Sequence, residues 1–198
     1  MGSRESVVKS VGGFCVVAVL ALPLLQGCAE AVVVGSAAAI VSIHDRRPTR
    51  VMVRDQNIEI LARKALARDV SLADRAHLNV TSFNGVALVT GEVPSKALRA
   101  RAVALVQAIP GVHKVRREIR VAPPASFGAR TSESMTTARV KAKLFASDFD
   151  ATRVKIVSAG GEVFLMGLVT RDEAGQVMAL ANHVGGVDKV VDVFEYID

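Results

Sequence analysis

The chain has 198 residues, enough for one ordinary domain or two small ones. Apolar residues make up 51% and charged residues 22%, a balance that excludes a disordered tail. Two cysteines exclude a disulfide framework, and the net charge of +6 favours an anionic partner, either nucleic acid or anionic lipid headgroups.

The N-terminus reads as an address. Residues 1–10 are polar and carry Arg4 and Lys9, and residues 11–25 then run without a charge. A basic start followed by a short apolar core is the layout of a secretory signal peptide. Fifteen residues are fewer than the roughly 20 that a spanning helix needs, and Pro23 breaks the run near its end. It stops at Leu25-Gln26-Gly27-Cys28, which resembles a bacterial lipoprotein lipobox. A small residue before the cut admits the peptidase, and a thiol after it accepts a diacylglycerol as a thioether. Cys28 is therefore the expected lipid attachment point, behind a signal peptide of residues 1–27. Several acyl chains, at about 0.8 kcal/mol per buried methylene, anchor a protein stably. Ala29, where an inner-membrane retention signal would carry Asp, points to the outer membrane. Export removes nucleic acid from the expected partners and leaves a mature charge of +5.

Residues 28–53 form the tether. Its stretch 29–43 is apolar and small, and either lies against the headgroup boundary or runs as an extended linker. His44-Asp45-Arg46-Arg47-Pro48 reads as loop.

The rest contains an internal repeat. At an offset of 76, Val80 falls on Ile156, Ser82 on Ser158, Gly85 on Gly161, Val89 on Leu165, Gly91 on Gly167 and Val93 on Val169. Each copy predicts the order α-β-β-α-β. The first helix covers 58–68 or 134–146, with apolar residues at helical spacing (Ile58/Ala62/Leu66, Val140/Leu144). Strands 78–82 and 86–93, or 154–158 and 162–169, flank Asn84-Gly85 or Gly160-Gly161, pairs that accept the positive φ of a two-residue hairpin. A helix at 95–108 or 171–183 follows, with Ser95 and Thr170 as caps, and then a strand at 114–121 or 189–197. The fold class is α+β: a three-stranded mixed sheet covered on one face by two helices, twice over. The domains span 54–121 and 132–198, joined by a linker at 122–131.

The strand motifs Leu88-Val89-Thr90-Gly91-Glu92-Val93 and Leu165-Met166-Gly167-Leu168-Val169, with Gly-Val-x-x-Val after each second helix, resemble the BON domain (bacterial OsmY and nodulation). Two such domains behind a lipobox resemble the dual-BON outer-membrane lipoproteins of Gram-negative bacteria. The resemblance implies a non-catalytic protein, lipid-anchored in the outer membrane and facing the periplasm. It implies binding of anionic phospholipid, maintenance of outer-membrane integrity and enrichment at the division site. The alternative is a protein-interaction module contacting outer-membrane protein assembly or cell-wall remodelling machinery. The surface for that alternative is the second apolar face of one strand, Phe164, Met166 and Leu168, which either holds the two domains together or recruits a partner.

No nucleophile, metal or phosphate-loop motif is present, so neither catalysis nor a cofactor is expected. The four histidines, His44, His77, His113 and His183, fall in dissimilar contexts, and Asp148 and Asp150 read as turn residues. The charge is divided: residues 54–121 carry a net +6 and residues 132–198 a net −3. The resemblance assigns phospholipid docking to the first helix of the second domain, through Met135, Arg139, Lys141, Lys143, Leu144 and Phe145. Flanking cations around apolar anchors are the layout of an interfacial helix. Phe145 either packs in the core or projects toward a bilayer. The first domain is the more basic one, with Arg63, Lys64 and Arg68 on its first helix and Lys114, Arg116, Arg117 and Arg120 on its last strand, so the docking domain stays open.

Overall fold

The computed structural model describes residues 45–73 and 75–197. The signal segment, Cys28 and the tether up to residue 44 lie outside the described residues. Among the described residues no helix is long and apolar enough to cross a membrane.

The first domain runs α1 (Thr49–Arg68), β1 (His77–Phe83), β2 (Val86–Val93), α2 (Lys96–Gln107) and β3 (Lys114–Val121). Its sheet has the order β1-β2-β3, with β1 antiparallel and β3 parallel to β2. The second repeats this with α3 (Phe127–Phe145), a 3-10 turn (Ala151–Arg153), β4 (Val154–Ala159), β5 (Glu162–Val169), α4 (Arg171–Asn182) and a last strand in two pieces, β6 (Lys189–Asp192) and β7 (Glu195–Tyr196). The α+β units read from the repeat are thus both present. The break in the second domain's last strand is local: Leu165 faces Asp192 and Leu168 faces Glu195, so the register is unchanged across it. Between the pieces the Asp192 carboxylate accepts the Phe194 N–H at 2.7 Å, a short side-chain turn that interrupts the ladder.

Two helix starts differ from the sequence reading. Helix α1 begins at Thr49 rather than 58, with Pro48 at its N-cap, a position that suits a residue lacking an N–H. Helix α3 begins at Phe127 rather than 134, where Ser126 accepts the Ala129 N–H at 3.2 Å. Neither extra stretch shows an apolar stripe at helical spacing: the buried residue of 49–57 is a charged one, Asp55, and the side chains of 127–133 are exposed or half-buried.

Each domain has its own core between helices and sheet. In the first, Ile58, Ala62 and Leu66 of α1 meet Val80, Val89 and Val106; in the second, Val140 and Leu144 of α3 meet Ile156, Leu165 and Val177. The helix-free faces of the two sheets pack on each other. Phe83 and Leu88 from the first meet Val157, Phe164 and Met166 from the second, with Leu168 at the margin. The second apolar face of β5 therefore holds the domains together and is not free for a partner. Each such side chain contributes about 1.5–3 kcal/mol when withdrawn from water.

Polar ties reinforce this packing. Lys155 donates to Glu59 and to the Ser82 carbonyl, both at 2.9 Å, and Asn84 donates to Glu195 at 2.7 Å. Arg46 grips Glu173 through two bonds of 2.6 and 2.8 Å. The neighbouring Arg47 turns inward, lies 3.6 Å over the Phe83 ring and donates to Asp55 at 2.7 Å.

Asp55, only 1% exposed, also accepts the backbone N–H of Asn84 and Gly85 and the Ser82 hydroxyl, so one carboxylate fixes the whole β1–β2 turn. Glu133 of α3 plays the corresponding part in the second domain, accepting the Gly160 N–H at 2.6 Å. Asn84 and Gly85, like Gly160 and Gly161, take the positive φ that these two-residue turns demand.

Candidate membrane-docking surface

Helix α3 is amphipathic in an unusual direction. Thr136, Val140 and Leu144 face the core, while Phe127, Met135 and Phe145 are 78%, 51% and 65% exposed. At about 100° per residue, Phe127 and Phe145 are five full turns apart and share one azimuth, with Ala138 and Ala142 between them. Met135 lies about 80° round from that line. The two phenyl rings mark the ends of an apolar strip whose backbone length is about 27 Å. Nothing in the described structure covers them.

Cations border the strip. Arg130 and Lys141 stand about 40–60° to one side, and Arg139 and Lys143 about 120–160° to the other. All four are exposed. The only carboxylate on α3, Glu133, is turned toward the Gly160 turn. Lys143 in the last turn also complements the negative end of the helix dipole. Arg139 is the least available of the four, because it donates to the Gly185 carbonyl at 3.3 Å.

Of the six residues assigned to docking, Met135, Arg139, Lys141, Lys143 and Phe145 are on the surface. Leu144 is a correction: it is fully buried against the second-domain sheet and can touch no bilayer. Its azimuth, about 100° from Phe145, points it inward. Phe127 and Arg130 were absent from the assignment because residues 122–131 read as linker. The legible signal was Ser126 as a helix cap followed, after Phe127, by a second phenylalanine 18 residues on.

The remaining candidates have structural roles. Asp150 caps the 3-10 turn through the Thr152 N–H and hydroxyl. The His183 ring nitrogen Nδ1 lies 2.6 Å from the Ala179 carbonyl oxygen, and His113 packs beside Gly85. Among the described residues no group of histidine, cysteine and carboxylate side chains could hold a metal ion.

The charge of the first domain is arranged one-sidedly. Four of its carboxylates are engaged: Asp55 by Arg47, Glu59 by Lys155 of the second domain, Asp69 by Arg101 and Glu92 by Arg120. The exposed cations of α1, Arg50, Arg63, Lys64 and Arg68, have no such partner among the described residues. This helix nevertheless lacks aromatic anchors; its exposed large apolar residues are Val53 and Ile60.

Two repeats of a two-helix, three-stranded mixed sheet, each with a glycine inside the second strand, define a tandem BON-domain protein. The BON domain model matches residues 54–123 and 132–198, and the chain belongs to that family. More narrowly it is a BON-domain protein of the DolP family: it is 37% identical over 175 residues to the outer membrane lipoprotein DolP of Haemophilus influenzae, covering 88% of this chain and 91% of that one. It is also 32% identical over 154 residues to a 21 kDa hemolysin of Actinobacillus pleuropneumoniae, covering 77% and 79% of the two chains. Among solved structures, the C-terminal domain of CdsD, a structural protein of the type III secretion system of Chlamydia trachomatis, aligns over 74% of this chain and 98% of that one. At 13% identity and a TM-score of 0.30, that likeness carries no argument.

Proposed function

We propose that this protein is an outer-membrane lipoprotein, acylated at Cys28 and facing the periplasm, that docks on anionic phospholipid through α3 without catalysing a reaction. Its role is to maintain outer-membrane integrity, with enrichment at the division site where such lipids concentrate. The name and the extensive similarity of the Haemophilus relative support the location. The observation that carries the docking reading is the aligned exposure of Phe127 and Phe145, with Met135 between them and cations on both flanks. Apolar side chains this exposed in water lose little by entering the acyl boundary, and each neighbouring cation adds about 1 kcal/mol at an anionic surface.

Co-sedimentation with vesicles containing phosphatidylglycerol tests the reading. The wild-type chain is expected to bind and to release as salt rises, since exposed charges are screened beyond about 8 Å at physiological ionic strength. The double variant Phe127→Glu/Phe145→Glu is expected to lose binding at least tenfold with its fold intact by circular dichroism. Undiminished binding by that variant would remove α3 from the interface.

A further inference from the structure

A groove of about 900 Å³ runs between the two domains, walled by α1 on one side and α3 on the other, with edge strands β1 and β4 at its base. Its size is within the range of about 300–1,000 Å³ that small-molecule sites occupy. Three carboxylates line it and all are engaged: Glu59 by Lys155, Glu133 by the Gly160 N–H, and Glu92 by Arg120. Four cations also line it: Lys155, already paired with Glu59, and Arg63 from α1 with Arg130 and Lys141 from α3. The side chains of Arg63, Arg130 and Lys141 have no hydrogen-bond or ion-pair partner among the described residues. Glu133, held by a neutral N–H, keeps its charge, so the groove presents a net positive surplus drawn from both domains. Leu66 and Leu72 behind this wall belong to the first-domain core and are buried.

We propose that this groove binds the phosphate-bearing headgroup of one anionic phospholipid, clamped between Arg63 on one domain and Arg130 and Lys141 on the other. Charge complementarity favours an anion, and phosphodiester oxygens accept the charge-assisted hydrogen bonds that Arg and Lys donate. The source is the bilayer. Arg130 and Lys141 stand on the flank of α3 next to the Phe127–Phe145 strip, so a helix lying on a membrane brings the rim of the groove to the headgroup layer. In this last respect the inference rests on the docking reading of α3. It adds a residue of the first domain to lipid recognition and makes headgroup selection a property of the domain pair.

Titration with monomeric dihexanoyl-phosphatidylglycerol below its micelle concentration, followed by amide NMR, separates the two ideas because it needs no bilayer. Wild type is expected to show saturable shifts centred on α1 and α3. Arg63→Ala/Arg130→Ala is expected to weaken that binding at least tenfold. Lys64→Ala/Arg68→Ala removes the same total charge, two cations of α1 outside the groove, and is expected to change it less than twofold. Equal losses in the two pairs would reduce the effect to general charge and overturn the proposal, as would absence of saturable shifts in wild type. Inorganic phosphate binding as tightly as the lipid would overturn the bilayer source. Phe127→Glu/Phe145→Glu is expected to keep monomer binding while losing vesicles. If that variant kept both, the docking reading of α3 would fall and the groove would stand on the monomer result.

Discussion

Glu173 joins three structures through one carboxylate. It accepts the Thr170 N–H at 2.9 Å to complete a capping box, and it takes Arg46 and Arg153 as ion-pair partners. Chiefly the Arg46 hydrogen bonds hold its pKa down, from an ordinary 4.5 to about 2, against the opposing effect of burial. A carboxylate depressed in this way stabilises the fold fully above its unfolded pKa, and the contribution is lost as pH falls through the folded value. The stability difference between wild type and Glu173→Gln is therefore expected to be constant above pH 5 and to shrink between pH 4.5 and 2, measured by urea midpoints. A gap that persists unchanged to pH 2 would contradict the pairing. Asp45 is shifted in the same direction: burial raises its pKa, but hydrogen bonds and charge from Arg47 outweigh it. None of these partnerships was legible in the sequence. Arg46 lies 127 residues from Glu173 and Arg47 lies 8 from Asp55, and even the Asp45–Arg47 pair, two residues apart, sat in a segment that looked like a loop.

Secondary structure was more legible, because strand alternation and turn chemistry are local. The β2 and β5 bounds, the two hairpin turns and the caps at Ser95 and Thr170 follow from residues within a few positions of one another. The early starts of α1 and α3 were hidden for the opposite reason: a stretch whose buried side chain is charged, or that buries none, leaves no apolar period. Gly91 shows what the repeated strand glycine does. At φ +114° it occupies a region that L side chains avoid, and a Cβ there would overlap the His77 carbonyl oxygen on the paired strand. Gly91→Ala is expected to destabilise the first domain by at least about 1–3 kcal/mol, the scale of local backbone strain. Gly175 is the contrast, an exposed position in α4 where an added Cβ meets nothing. Gly175→Ala is expected to stabilise by about 0.4–1 kcal/mol through helix propensity and the narrowed unfolded state. Urea titration of the two variants reads both signs.

At the scale of the whole molecule, the decisive event is the burial of two sheet faces against each other. The apolar character of Phe164, Met166 and Leu168 was visible in sequence; what covers them was not, since the same pattern serves a partner protein equally well. With Phe83 and Leu88 supplied by the first domain, the two halves share a third core. Phe164→Ala is expected to cost about 3–5 kcal/mol. Because that core bridges the repeats, one calorimetric transition is expected for wild type and two for the variant, the sign that each domain has become its own cooperative unit. A uniform lowering of one transition would mean that the domains unfold together for other reasons.

Arg46 and Arg47 are adjacent in sequence but hold different domains, the first on α4 of the second domain and the second on α1 and the turn of the first. Any pull arriving along the backbone from the N-terminal side meets this fork before it meets the body of either domain. The load divides between the domains at one point, as through a yoke, and the shared core is not peeled open from one end. A protein held by its N-terminus to a moving surface could in this way keep its two halves registered under tension.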